Sequence, residues 1–237
     1  KNEYCPVRDF NRWVNALFLP DTIGVYLEEK LGENAGYYAT TYVRDFIYGT
    51  LVYWISAGLW HIGIYVIWVK SLFLDEKRPL PTSEIILDQI LLAQSSVLIY
   101  AALPVLSGFL VENRVTKTYF YIDEIGGWPM YFGFLFVYLV FVEIGIYWMH
   151  RTLHTNKTLY KYIHSLHHKY NSAVTLTPWS SIAFHPIDGM LQVRRCVYVI
   201  LSRSNSSYTI IWFISNFERL PLMSWDCFLF LAITIHT

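Results

Sequence analysis

The chain has 237 residues, of which 54% are hydrophobic, 18% aromatic and only 15% charged. That is too apolar for a soluble domain of this length, so a membrane protein is the first reading. Eighteen basic residues balance eighteen acidic ones, which leaves no overall field to attract nucleic acid and removes DNA and RNA as partners.

The chain opens at Lys1 with no basic-then-apolar leader before its first long hydrophobic run, so a fragment or processed chain is expected. Residues 1–45 mix short apolar clusters, such as Leu17-Phe18-Leu19 and Val25-Tyr26-Leu27, with interspersed charges. They are expected to form an amphipathic tail at the membrane interface. Phe46 to Val69 then runs without a formal charge, interrupted only by His61. At about 1.5 Å rise per residue it is long enough to cross a hydrocarbon core of about 30 Å. His61 is expected to be a packed, hydrogen-bonded interior residue rather than a metal ligand.

The polar linker Lys70 to Glu84, with Pro79 and Pro81, separates this span from a second, Gln89 to Val111, in which Pro104 and Gly108 lie near the far end. The third span, Ile125 to Met149, is apolar except for Glu143 and ends in Tyr147 and Trp148, residues suited to a membrane interface. The fold class that follows is an all-α integral membrane protein of three to four transmembrane helices. With three spans, Lys30, Arg44, Arg114 and Lys117 lie on one side, and Lys70, Lys77, Arg78, Arg151, Lys157, Lys161 and Lys169 on the other. That imbalance places the segment after Met149 on the cytosolic face.

Five of the eight histidines fall between His150 and His168, and clustering this tight wants a chemical reason. His150 and His154 form an HxxxH pair, and His164, His167 and His168 an HxxHH triplet. On helices, residues three and four apart share a face with Cβ atoms about 5–6 Å apart, so two imidazoles can share one ion. His185, in Phe184-His185-Pro186, is a sixth candidate ligand. His236 carries no functional argument.

Arg151 stands where a zinc protease of the HExxH type places its general base. The cysteines, Cys5, Cys196 and Cys227, are far apart and away from the cluster, which supports neither a disulfide framework nor a thiolate zinc site. Imidazole also suits iron, and five or six histidines exceed what one tetrahedral ion can use. A pair of iron ions activating O2 against a lipid C–H bond is the economical reading. Glu143, two helical turns before His150, is expected to orient a ligand histidine. Asp188, in His185-Pro186-Ile187-Asp188-Gly189, is expected to be a turn residue rather than a ligand.

Val140 to His154, Leu159 to Asn171 and Ala183 to Gly189 together resemble the sterol desaturase branch of the fatty acid hydroxylase superfamily. Within that branch the chain is most similar to the plant-type delta-7-sterol C-5(6)-desaturases, from about Tyr42 to Gln192. The resemblance implies a non-haem di-iron enzyme of the endoplasmic reticulum. Such an enzyme introduces a C-5 double bond into a membrane sterol, using O2 and electrons passed from an NADH-dependent reductase through cytochrome b5. His150 and His154 match the first histidine box, His164, His167 and His168 the second, and His185 the histidine that follows.

The family then continues with a third HxxHH box, and nothing like it occurs in Val193 to Thr237. The domain reading is an interfacial tail over 1–45, a partial desaturase-like domain over 46–192 and an atypical tail over 193–237. Val197 to Phe217 makes a fourth span only if Arg203 is tolerated, at about +2.5 to +3.5 kcal/mol for a central Arg, so it is expected at the interface. A site short of imidazoles compromises desaturation by this chain alone. The alternatives are a hydroxylase or sterol methyl oxidase of the same superfamily, or a catalytically silent membrane protein that binds sterol or a partner.

Overall fold

The computed structural model describes residues 6–75, 77, 79–113, 115, 122–172 and 174–190. The tail from Val193, with the candidate fourth span over 197–217, lies outside the described residues. Among the described residues there is no strand, and the regular elements are helical. Three helical stretches are long and apolar enough to cross a membrane: Glu33–Ile67, Ser83–Glu112 and Trp128–Thr155.

Residues 6–45 hold more structure than a trailing tail. Helix α1 (Pro6–Phe18) and helix α2 (Asp21–Leu31) lead into α3 (Glu33–Ile62). The first span therefore starts before Phe46, and the reason is electrostatic. Arg44 and Asp45 end the uncharged run, yet they bond to each other inside the protein, Arg44 Nη2 to Asp45 Oδ1 at 2.8 Å. A buried pair lets the helix continue through two residues that would each be costly alone. α1 packs on α3 through Asn15, which donates to Thr41 Oγ1 at 3.2 Å.

α2 and α3 form a hairpin turned at Gly32, whose φ of 84° favours glycine. At Gly36 the two backbones approach so closely that a Cβ would lie 2.4 Å from Glu28 Cα. A Gly36→Ala chain must push the hairpin apart, at a cost of about 1–3 kcal/mol. Its thermal unfolding midpoint in detergent is expected to fall clearly below that of the wild type.

The second span is two helices. Thr82 caps α4 (Ser83–Tyr100) by accepting the Ile85 N–H, with Glu84 in the first turn to complement the helix dipole. Pro104 then falls in the first turn of α5 (Ala102–Glu112), where a missing N–H is tolerated. Gly127 and Pro129 open α6 (Trp128–Thr155). Most of α6 presents apolar side chains outward, among them Phe136, Val140, Phe141, Ile144 and Trp148. That is the surface a lipid-facing helix requires.

Asn156 ends α6 and caps the short α7 (Lys157–Tyr162), accepting from the Thr158 and Leu159 N–H groups at 3.0 and 3.1 Å. The chain then winds into a 3₁₀ turn, His164–Tyr170, and an irregular segment ending in a helical stretch over 186–190. This segment lies along α3 and α4. Tyr53, Ala57 and Ala93 from those helices enclose Tyr170, Trp179 and Ala183. Asp88, near the start of α4, takes hydrogen bonds from Lys169 Nζ and, at 2.6 Å, from Tyr170 Oη. Three crossings put the start of α4 and the residues after α6 on one face, and these contacts agree.

Candidate metal centre

α6 presents His150 and His154 from successive turns, as their spacing predicts, with their Nε2 atoms 3.1 Å apart. The capped turn at Asn156 brings the second set of histidines back over them. His154 Nε2 lies 3.2 Å from both His164 Nε2 and His168 Nε2, which are themselves 3.1 Å apart. These four residues form a single group whose ligand atoms all lie within 4.8 Å of one another.

The proton count at this point is decisive. A ring nitrogen has one in-plane position, filled by either a lone pair or an N–H. With four nitrogens and four close approaches, at most two approaches can be hydrogen bonds at once. Within the triangle of His154, His164 and His168 at least one approach must bring like groups together, which is unfavourable unless a cation takes the lone pairs. Two nitrogens bound to one ion at about 2.1 Å stand roughly 3.0 Å apart at a right angle and about 3.4 Å apart at a tetrahedral angle. The four close separations fall between these limits, so the group could hold a metal ion.

Asp188 fixes the protonation of one ligand. Its Oδ2 meets His164 Nδ1 at 2.7 Å, and both side chains are fully buried. The proton therefore sits on Nδ1, and the His164 Nε2 lone pair points at the other imidazoles. Asp188, expected to be a turn residue rather than a ligand, lies in the helical stretch over 186–190 and outside the group of four, and from there it bonds His164. Glu143, expected to orient a ligand histidine, lies exposed on α6, about 10 Å along the axis from His150 at seven residues' separation. Asn171 Nδ2 meets His168 Nδ1 at 3.2 Å, and the Tyr160 ring lies 5.7 Å from that of His154. Neither residue was singled out from sequence.

The described residues do not bring His167 and His185 into the group of four. The HxxHH triplet is wound as a 3₁₀ turn, not an α-helix, and there residues three apart eclipse. His164 and His167 accordingly lie ring over ring, 5.3 Å between centroids, and His167 turns its edge to Phe184 at 5.8 Å. His185 Nδ1 accepts the Ile187 N–H at 3.1 Å, capping the turn that carries Asp188. His61 takes the packed role expected of it, accepting Trp179 Nε1–H at 3.2 Å.

Burial pushes the His167 pKa down to about 4 from an ordinary 6.5, against the opposing pull of Asp188. His168 moves in the same direction, again chiefly through burial and then through His164 and His154. Below pH 6.5 the unfolded chain takes up a proton that folded His167 refuses until about pH 4. Its contribution to stability is thus complete above pH 6.5 and is lost as the pH falls through that window. The unfolding midpoint of the metal-free chain is expected to drop across the window, with a shallower slope in His167→Gln.

A family model described as Fatty acid hydroxylase matches residues 135–226, so the match continues past Gln192 into the tail expected to depart from the family. The chain is 38% identical over 192 residues to the Delta(7)-sterol-C5(6)-desaturase of Nicotiana tabacum, covering 81% of this chain and 67% of that one. It is 37% identical over 183 residues to the putative Delta(7)-sterol-C5(6)-desaturase 2 of Arabidopsis thaliana, covering 77% of this chain and 62% of that one. It is also 41% identical over 98 residues to the lathosterol oxidase of Rattus norvegicus, covering 39% of this chain and 30% of that one. The chain thus spans about two thirds of the length of the plant relatives. No solved structure matches.

Proposed function

Because the chain belongs to the fatty acid hydroxylase family, we propose that it carries the iron centre of an O2-dependent sterol desaturase, one that introduces a C-5 double bond into a membrane sterol. The observation that carries this reading is the convergence of four imidazole Nε2 atoms at the end of a long apolar helix. His150, His154, His164 and His168 hold one ion, and His167 and His185 are the imidazoles left for a second. Bound iron supplies the activation of O2 that removal of hydrogen from an unactivated C–H bond requires. The protein's part is to hold and aim the imidazoles, with Asp188 keeping the His164 proton on Nδ1.

The exposed apolar side chains of α6 lead along the helix toward His150, which gives a sterol a lateral route from the bilayer. In this reading the protein sits in the endoplasmic reticulum membrane with the histidines facing the cytosol. Cytochrome b5 and its NADH-dependent reductase deliver the electrons.

The test is sterol analysis in cells that lack their own C-5 desaturase. A double bond at C-5 beside one at C-7 makes a conjugated diene, read by ultraviolet absorbance. Diene formed by this chain and lost in His154→Ala supports desaturation. A second reading is a catalytically silent membrane protein that binds sterol or a partner. Sterol bound without diene would select it.

A further inference from the structure

The metal centre is held in place by a membrane helix that contributes no ligand to it. Gln89, Ala93, Ser96, Val97 and Tyr100 form one fully buried stripe of α4, spaced so that successive members share a face. Residues 175–189 lie along this stripe in matching order. Gln89 uses both ends of its amide, Nε2 donating to the Thr175 carbonyl and Oε1 accepting from Thr177 Oγ1. Ala93 packs with Trp179 and Ala183. Ser96 Oγ donates to the Phe184 carbonyl at 2.8 Å. At the far end a Cβ on Gly189 would lie 2.0 Å from Tyr100 Oη, so only glycine lets the segment close on α4.

The Ser96 bond is informative because the hydroxyl has one proton and two acceptors within reach. A serine inside a helix ordinarily bonds back to the carbonyl four residues earlier, and here that acceptor, Leu92 O, is at 3.3 Å against 2.8 Å for Phe184 O. Its neighbour Ser95, on the exposed side of α4, bonds within the helix to Leu92 O at 2.7 Å. Ser96 is thus diverted from its own helix to the backbone of an irregular segment. Phe184 is four residues before Asp188, and Asp188 N–H donates to His185 O at 2.8 Å. The carbonyl fixed by Ser96 therefore sets the start of the single turn that places the Asp188 carboxylate on His164.

We propose that Gln89 and Ser96 are positioning residues of the metal centre, setting the register of residues 175–188 so that Asp188 meets His164. This rests on the reading of the histidine cluster as a metal site. The test uses the full chain purified in detergent and stripped of metal, as wild type, Ser96→Ala and the control Ser95→Ala. Two quantities are read: Co(II) affinity by titration, and amide hydrogen exchange over 184–188 without metal.

Loss of an outer hydrogen-bond partner typically costs about 10–100-fold in metal affinity. Ser96→Ala is expected to bind Co(II) roughly tenfold more weakly, with faster exchange over 184–188 and unchanged helical circular dichroism, while Ser95→Ala matches the wild type. Gln89→Leu is expected to weaken Co(II) binding similarly, so the conclusion does not depend on one variant. A Ser96→Ala chain that binds Co(II) as the wild type does, or exchanges as slowly over 184–188, overturns the inference. A wild type that binds no Co(II) overturns the metal-site reading instead, and exchange in the metal-free chains still decides whether Ser96 fixes this segment.

Discussion

His154→Ala is expected to abolish stoichiometric metal binding, the largest effect of any single substitution in the cluster. His154 Nε2 is the hub of the site, within 3.2 Å of the Nε2 atoms of His150, His164 and His168. Removing it deletes one of four donors and leaves the other three without the group they all approach. The loss should exceed the roughly 10–100-fold that follows removal of an outer partner alone. His154 is only slightly buried by its surroundings and ends an apolar helix held by its own backbone, so the fold is expected to survive. Circular dichroism beside metal analysis checks both halves: helical content retained, metal lost. Wild-type metal content in His154→Ala would show that the ion is held elsewhere.

Asp188 gives the second large effect, and two substitutions separate its charge from its hydrogen bond. Asp188→Asn retains an oxygen to accept the His164 Nδ1 proton and loses the negative charge that makes Nε2 a better donor to metal. It is expected to weaken Co(II) binding by about tenfold. Asp188→Ala also leaves a buried N–H without its partner, which costs about 1–3 kcal/mol in stability. Its metal affinity should therefore fall toward the hundredfold end of the range, with a lowered unfolding midpoint as well. Equal affinities for wild type and Asp188→Asn would assign Asp188 to the turn alone.

The spans were legible because long uncharged runs have few alternatives to crossing a bilayer. Their starts were less so, since Arg44 and Asp45 look like a boundary until their pairing inside the protein is seen. The first histidine pair followed from helical spacing. The second set did not, because nothing local marks residues 164–170 as a 3₁₀ turn. The contact between Asp188 and His164 was hidden for a similar reason. A carboxylate in an apolar span stands out in a sequence, whereas a carboxylate in a His-Pro-Ile-Asp-Gly turn looks ordinary, and only the fold brings it to His164. Gln89 and Ser96 were invisible for the same reason, since their partners are the backbone and a hydroxyl of a segment more than eighty residues away.

Iron per chain, measured by elemental analysis on detergent-purified protein, decides whether this histidine cluster holds iron. About one iron or more is expected in the wild type and background iron in His154→Ala prepared in parallel. Background iron in both, or the same iron in both, would contradict it.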